Sequence, residues 1–318
     1  MSIEHQYLEV VAACRNPEKL IPDYRGEIRV GDLRDPLYLD RVLTGIDIVC
    51  HCAGWTSFDA DEATCRKLYL EPTLELINRA MQWPVTRFIN LSSLAVTPLA
   101  DRNNPQVSGQ PRRNAHMFNC MLAVEDYLRC QTQERFKTIN LRTGIYSGRR
   151  LNLGLLLFLL QESPRLPAIH GVYGHLPLVD GRDIGQAFAR AALAPVEQGF
   201  ISLNIIGTAP PEHREVYRYI NEIKGRTCNL MMSPLVYVRI TNWLKRRLPG
   251  FSGGSSWPAS LLQLLANPQL DNHLASSYIG YDPQFHWKNS VMESARQLQQ
   301  APEITVYSLK NDELIYPE

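Results

Sequence analysis

The 318-residue sequence contains 19 glycines but no Gly-x-x-Gly-x-x-Gly turn. Such turns let a phosphate approach backbone amides at a helix N-terminus, so that manner of binding is excluded within these residues. Long apolar runs are also missing. The longest, 155–160 with Leu151 and Leu153 before it, falls well short of the ~20 residues that cross a bilayer. It is expected to be a buried helix leading into a second lobe. The first residues lack the basic-then-apolar profile of a signal peptide. Neither sign of charge dominates: the net charge of +1 removes any general electrostatic case for nucleic acid or acidic partners. The seven cysteines are scattered, with no Cys-x-x-Cys, which argues against a zinc knuckle or a disulfide framework. Several lie in apolar runs as reduced core residues, and a cytosolic location is expected. Repeats and low-complexity tracts are lacking too.

What remains is an ordinary globular composition, 45% hydrophobic and 20% charged, long enough to bury a large core. The short apolar run 8–14, ended by Arg15-Asn16-Pro17, reads as a buried strand, and 28–33, 47–54, 87–93 and 137–142 read as further strands. Between them, a short stretch through Asp40 to Leu43 and the longer stretches 61–82 and 116–131 have helical spacing. Beyond Gly148 the pattern loosens. Leu176-Pro177-Leu178-Val179-Asp180 precedes a helix carrying Ala187, Ala189, Ala191 and Ala192; 201–206 is strand-like, 214–224 helical, and the Gly/Ser-rich 250–256 a mobile loop. Alternating strands and helices imply right-handed crossovers and a mostly parallel sheet covered on both faces.

A series of short segments carries a family resemblance, in order along nearly the whole chain: Arg15-Asn16-Pro17, Gly31-Asp32-Leu33-Arg34-Asp35, His51-Cys52-Ala53-Gly54, Leu91-Ser92-Ser93, Ala123-Val124-Glu125, Leu141-Arg142-Thr143-Gly144, Val179-Asp180-Gly181-Arg182-Asp183-Ile184 and Tyr278-Ile279-Gly280-Tyr281-Asp282-Pro283. Together they resemble the extended short-chain dehydrogenase/reductases of the NAD(P)-dependent epimerase/dehydratase type, including the 3β-hydroxysteroid dehydrogenase-like branch. The resemblance implies an α/β fold with a Rossmann-like doubly wound parallel sheet and a smaller C-terminal substrate lobe. Residues 1–148 form the dinucleotide-binding type of domain. Residues 149–318 form mainly the lobe, returning to the sheet near 176–206.

It also implies where this chain departs from the family. The family's opening strand and glycine-rich turn have no counterpart, and residues 1–7 read as the end of the helix that follows them. The missing strand is central, so its loss leaves sheet edges unpaired. Either a segment lies outside this sequence or something else fills the place; the strand-like Ile304-Thr305-Val306-Tyr307-Ser308-Leu309 is one candidate. Aligned by Glu125, the family's Tyr-x-x-x-Lys pair falls on Met117 and Met121, and none of the fourteen tyrosines has a lysine four residues later. Tyr serves that family as proton donor or acceptor and Lys lowers its pKa; methionine does neither. The family's supporting Asn aligns with Tyr69 and the Gly after it with Pro72. Ser93 alone matches, as the substrate-polarising hydroxyl.

By resemblance, NAD or NADP would lie against Arg15, at the 2′-phosphate position, and against Asp32, Leu33, Cys52, Ala53, Gly54 and Thr143. Each also reads as a plain strand end or solvated turn. Trp55, Thr56 and Phe58 follow a strand's C-terminal end, where such sheets bind ligands, and are the substrate-pocket candidates or else a loop anchor. His116 adjoins the lost pair but points about 100° away around the helix. Cys50, His51 and Cys52 mimic a metal cluster, yet on a strand the cysteines face one way and the histidine the other. No metal is expected. Trp243-Leu244-Lys245-Arg246-Arg247-Leu248 reads as a solvated helix face before a membrane-touching one. A homodimer through the helices 116–131 and 61–82 is implied by resemblance, with Met117, Met121, Val124, Leu128, Leu68, Leu76 and Ala80 as the apolar stripes. Three functions stand open: a catalytically degenerate binding or regulatory relative, an oxidoreductase or epimerase with a displaced gene start and other catalytic groups, or a non-functional fragment.

Overall fold

The structure, a computed structural model, describes residues 8–54, 60–97, 104–111, 115–131, 135–149, 168–169, 175–223, 225, 231–232 and 270–300. The first strand-like run pairs only at its end, as β1 (Ala12–Cys14), which lies parallel to β2 (Ile28–Val30). Helix α1 (Pro36–Leu43) begins where the Asp35 carboxylate accepts the Leu37 N–H and Pro36 presets the first turn. It is followed by β3 (Ile48–His51).

The single helix expected over 61–82 is three pieces: α2 (Glu62–Cys65), a π-turn over Arg66–Leu70, and α3 (Glu71–Gln82). Pro72 is the physical reason. Lacking an N–H, it cannot continue an α-helical ladder, and the helix widens so that the Glu71 N–H reaches back to the Arg66 carbonyl. Then come β4 (Arg87–Ser93), α4 (His116–Cys130), β5 (Lys137–Thr143) and β6 (Ile145–Ser147). The second half contributes β7 (Ala168–Ile169), β8 (Leu178–Asp180), α5 (Gly181–Leu193), β9 (Phe200–Ile205), α6 (His213–Ile223), β10 (Met231–Met232), α7 (His273–Ile279) and α8 (Trp287–Gln300).

The central sheet has the order β3-β4-β5-β9, every pair parallel. One face packs Phe88 against α1, α3 and α4 through Leu39, Leu76, Ile77, Met117, Val124 and Leu128. The other packs Ile89, Ile139 and Leu141 against Ala187 and Ala191 of α5 and Ala275 of α7. This is the doubly wound α/β architecture expected. β1 and β2 form a separate ladder, and no described strand pairs with the remaining edge of β1 or of β3. β6–β8 and β7–β10 are further two-stranded pairs.

Of the apolar positions on the stretches 61–82 and 116–131, Leu76, Ala80, Met117, Val124 and Leu128 are buried within the chain's own core, and Leu68 and Met121 keep partial exposure. Some of the stripe must face the sheet for the helices to pack on it.

Gly144, between β5 and β6, shows how tightly β8 crosses the sheet end. A Cβ there would meet the Pro177 carbonyl oxygen at 1.9 Å, against backbone that is held by the Ile145 N–H bond to the same oxygen. Gly144→Ala is therefore expected to lower stability by ~2 kcal/mol or more, read as a drop in thermal midpoint; an unchanged midpoint would show that the β6–β8 pair yields freely.

Candidate functional site

The C-terminal ends of β3, β4 and β5 carry the polar residues that the sequence singles out. On β3, side chains alternate: His51 is buried beside Phe88, with Nε2 3.3 Å from the Thr73 hydroxyl, while Cys50 and Cys52 keep accessible surface on the opposite side. The three form no ligand set, and no group of three metal-binding side chains occurs among the described residues. Desolvation pushes the Cys50 thiol up to about 12, with Cys52 beside it adding a little, and raises Cys52 as well, so neither is an activated thiolate.

Burial holds His51 at about 4, below its ordinary 6.5. The folded chain thus binds fewer protons there than the unfolded chain, and stability is full above pH 6.5 and falls as pH drops toward 4. The loss is expected to be on the order of 3 kcal/mol. Urea titrations across that window check it: His51→Asn should flatten the slope, and an unchanged slope would assign it to other groups.

At the end of β4, Ser93 is half-buried and its hydroxyl oxygen accepts the Ala95 N–H, capping a 3-10 turn over Leu94–Val96. That turn packs against α4, so Ser93 and the positions of Met117 and Met121 come to the same end of the sheet. Met117 is 2% exposed, in the same core cluster as Tyr69 and Cys120; Met121 is partly buried against that cluster and against the one that holds Leu94 and Phe118. His116 lies near Asp61, at the start of α2, whose pKa is lowered chiefly by the Thr64 N–H and slightly by His116. It is not turned into the core beside Met117.

Thr143, fully in the interior, donates to the Ser92 carbonyl (2.9 Å) and shares a 3.0 Å hydrogen bond with the Tyr146 hydroxyl. Beneath it, the buried Glu125 carboxylate accepts from Ser92 Oγ at 2.5 Å and from Arg142 Nη2 at 2.6 Å and Nε at 3.1 Å. Both partners of this ion pair have zero side-chain exposure. Tyr69, turned inward by the π-turn, lies under Gly54, where a Cβ would sit 3.1 Å from its ring. Burial first, then the nearby Glu125, raises its hydroxyl pKa above the usual range. Tyr146 is raised by burial too, with Thr143 opposing. Tyr69, Glu125 and Arg142 were marked in the sequence only by their place in the quoted segments or departures, and Tyr146 was not marked at all.

At the β1–β2 end, the Asp32 carboxylate is already engaged by Arg34, through its N–H, Nε and Nη2. Those bonds, with a lesser effect of Arg15, lower its pKa. Arg15 is exposed near it, Leu33 is half-buried against the core, and Ala53 and Gly54 are exposed at the end of β3. Trp55, Thr56, Phe58 and the 243–248 and 304–309 segments lie outside the described residues.

No protein-family model and no curated protein sequence matches the chain. Solved structures do. A UDP-glucose 4-epimerase from Thermus thermophilus in complex with NAD superposes with a TM-score of 0.65 at 17% identity, covering 92% of each chain. The UDP-glucose 4-epimerase of Thermotoga maritima with UDP-glucose gives 0.66 at 15% identity, covering 95% of this chain and 94% of that one. A short-chain dehydrogenase/reductase superfamily protein from Agrobacterium tumefaciens with bound NAD gives 0.61 at 18%, covering 87% and 88%. The chain has the short-chain dehydrogenase/reductase fold. Within that fold, β3, β4 and β5 present their C-terminal ends to the ligand crevice of an open parallel sheet.

A dinucleotide fits this site in part. Asp32, Ala53 and Gly54 offer strand ends to one side of it, but no described glycine-rich turn or helix N-terminus faces the crevice between β1 and β3 to receive a pyrophosphate. Asp32's oxygens are occupied by Arg34, and the lysine expected at a ribose is Met121. The residues present do not make a complete cofactor site.

Among the described residues, no helix is long and apolar enough to cross a membrane.

Proposed function

We propose that this chain is a catalytically degenerate relative of the NAD(P)-dependent epimerases and dehydratases, acting as a binding or regulatory protein. The reading rests on Met117, buried at the position that the family resemblance aligns with the proton-transferring tyrosine, with Met121 one turn on. Neither side chain holds a proton or a charge; nearby, Thr143 donates to the Ser92 carbonyl and Glu125 is paired with Arg142, while Ser93 accepts a turn N–H and keeps its own hydroxyl proton. A protein of this kind retains a shaped crevice while losing the reaction.

Ser93, Tyr146 and Thr143 support a second reading, in which residual oxidoreductase or epimerase chemistry uses Ser93 as polariser; Tyr146, joined to Thr143, is the available hydroxyl nearby. Calorimetry with NAD, NADP and UDP-glucose separates the two. Under the first reading both dinucleotides bind weakly or not at all. A dissociation constant in the low micromolar range for either would overturn it and favour the second.

A further inference from the structure

The proton positions around Thr143 follow from counting. Its hydroxyl oxygen lies 2.9 Å from the Ser92 carbonyl oxygen and 3.0 Å from the Tyr146 hydroxyl oxygen. A threonine hydroxyl has one proton, and a carbonyl oxygen can only accept. The Thr143 proton therefore points to Ser92; the alternative sets two oxygens against each other with no proton between them. The bond to Tyr146 must then use the tyrosine's own proton. Burial raises the Tyr146 pKa, so that proton is present at neutral pH. The result is a directed chain from Tyr146 to Thr143 to the Ser92 carbonyl, in which the Tyr146 oxygen keeps a lone pair and has no proton left to give.

Ser93 has the opposite polarity. Its oxygen accepts the Ala95 N–H at 3.2 Å, a bond that leaves its own proton unused. Ser93 and Thr143 are register partners on β4 and β5, so their side chains lie side by side on one face of the sheet, one strand spacing of ~4.8 Å apart. Leu91 shares that face two residues earlier, and Leu91 and Tyr146 are partly buried against the same apolar cluster. Cys52, just past β3, is near enough to Tyr146 to act on its hydroxyl electrostatically. Arg142, next to Thr143 in sequence, lies on the opposite face and is held by Glu125 and the Val107 carbonyl. Ser93, Tyr146, Leu91 and Cys52 thus bring together one donor, one acceptor and apolar walls, with no charge among them.

We propose that this corner of the crevice binds an uncharged ligand through an alcohol group on an apolar frame, with Ser93 donating to the alcohol oxygen and Tyr146 accepting the alcohol proton. The inference deepens the reading of the chain as a binding protein and rests on it. Tyr146 sets the specificity. A ketone or an ether satisfies Ser93 but turns a lone pair toward the Tyr146 oxygen, and a carboxylate or phosphate adds a charge that none of these residues offsets.

The test uses the full chain and three probes built on one apolar frame, 1-indanol, 1-indanone and 1-methoxyindane, titrated by ligand-observed NMR. The alcohol is expected to bind ~5-fold or more tightly than either of the others, the worth of about one net hydrogen bond. In Tyr146→Phe the preference should disappear. In Thr143→Val the Tyr146 proton loses its acceptor and turns to the ligand, so the preference should invert toward the ketone. Tyr146→Phe removes a single oxygen and carries the test by itself if Thr143→Val does not fold. No saturable binding of any probe overturns the proposal, as does equal binding of alcohol and ketone by the parent chain, or a preference that survives Tyr146→Phe. Dinucleotide calorimetry tests the underlying reading separately: a low micromolar constant there overturns the binding-protein assignment, while the direction of the Tyr146 bond is still read from the probes.

Discussion

Glu125→Leu is expected to cost about 3–5 kcal/mol of stability, the largest effect of any single substitution considered. Glu125 and Arg142 are both completely buried, on α4 and β5, and the carboxylate takes a 2.5 Å bond from Ser92 as well. Removing the carboxylate strands a guanidinium in the interior that can neither reach water nor lose its proton at accessible pH. Arg142 also donates to the Val107 carbonyl, so its displacement would disturb the segment leading to α4. The double change Glu125→Leu with Arg142→Met should recover most of the loss, because the desolvation of both charges disappears together. Urea denaturation of the two variants and the parent, compared by midpoint at constant slope, measures this. If the single variant loses under ~1 kcal/mol, the pair is not buried as described.

The second expectation is that the chain, supplied with NAD or NADP and a UDP-sugar, turns over no faster than a control lacking protein. Positioned acid-base groups are worth ~10²–10⁴-fold, and here neither residue at the dyad places provides one. Met117→Tyr with Met121→Lys should not restore turnover by itself. Met117 occupies the interior, in the core cluster that also holds Tyr69 and Cys120, so a tyrosine would have to displace that packing before its hydroxyl reached the crevice. The readout is reduced-nicotinamide absorbance together with product analysis. Robust turnover by the unaltered chain, abolished by Ser93→Ala, would sink the claim and assign catalysis to the Ser93 hydroxyl.

How much of this was legible beforehand differs from residue to residue. The strands at 87–93 and 137–142 were readable to within a residue from their Phe, Ile and Leu residues and their place after helical stretches. The run at 8–14 was readable as extended, but only its last three residues pair, since pairing depends on a neighbour that local sequence does not contain. The helix over 61–82 was visible by its spacing; its π-turn was not, although Pro72 was the signal available. The dimer stripes were visible as apolar, and their burial in the chain's own core followed only from where α3 and α4 pack.

By itself the sequence determined the alternation of strands and helices, and that positions 117 and 121 carry side chains with neither a proton to give nor a charge. These are properties of residue type and short-range period, and they hold in any packing. The tertiary structure decided the rest: that Tyr69 turns in under Gly54, that Glu125 meets Arg142, that Asp32 is taken by Arg34, and that among the described strands β1 pairs with β2 apart from the β3-β4-β5-β9 sheet. Apart from the local Asp32–Arg34 pair, each of these joins residues distant in sequence, and their energies come from desolvation and backbone pairing, which exist only once the chain has closed on itself.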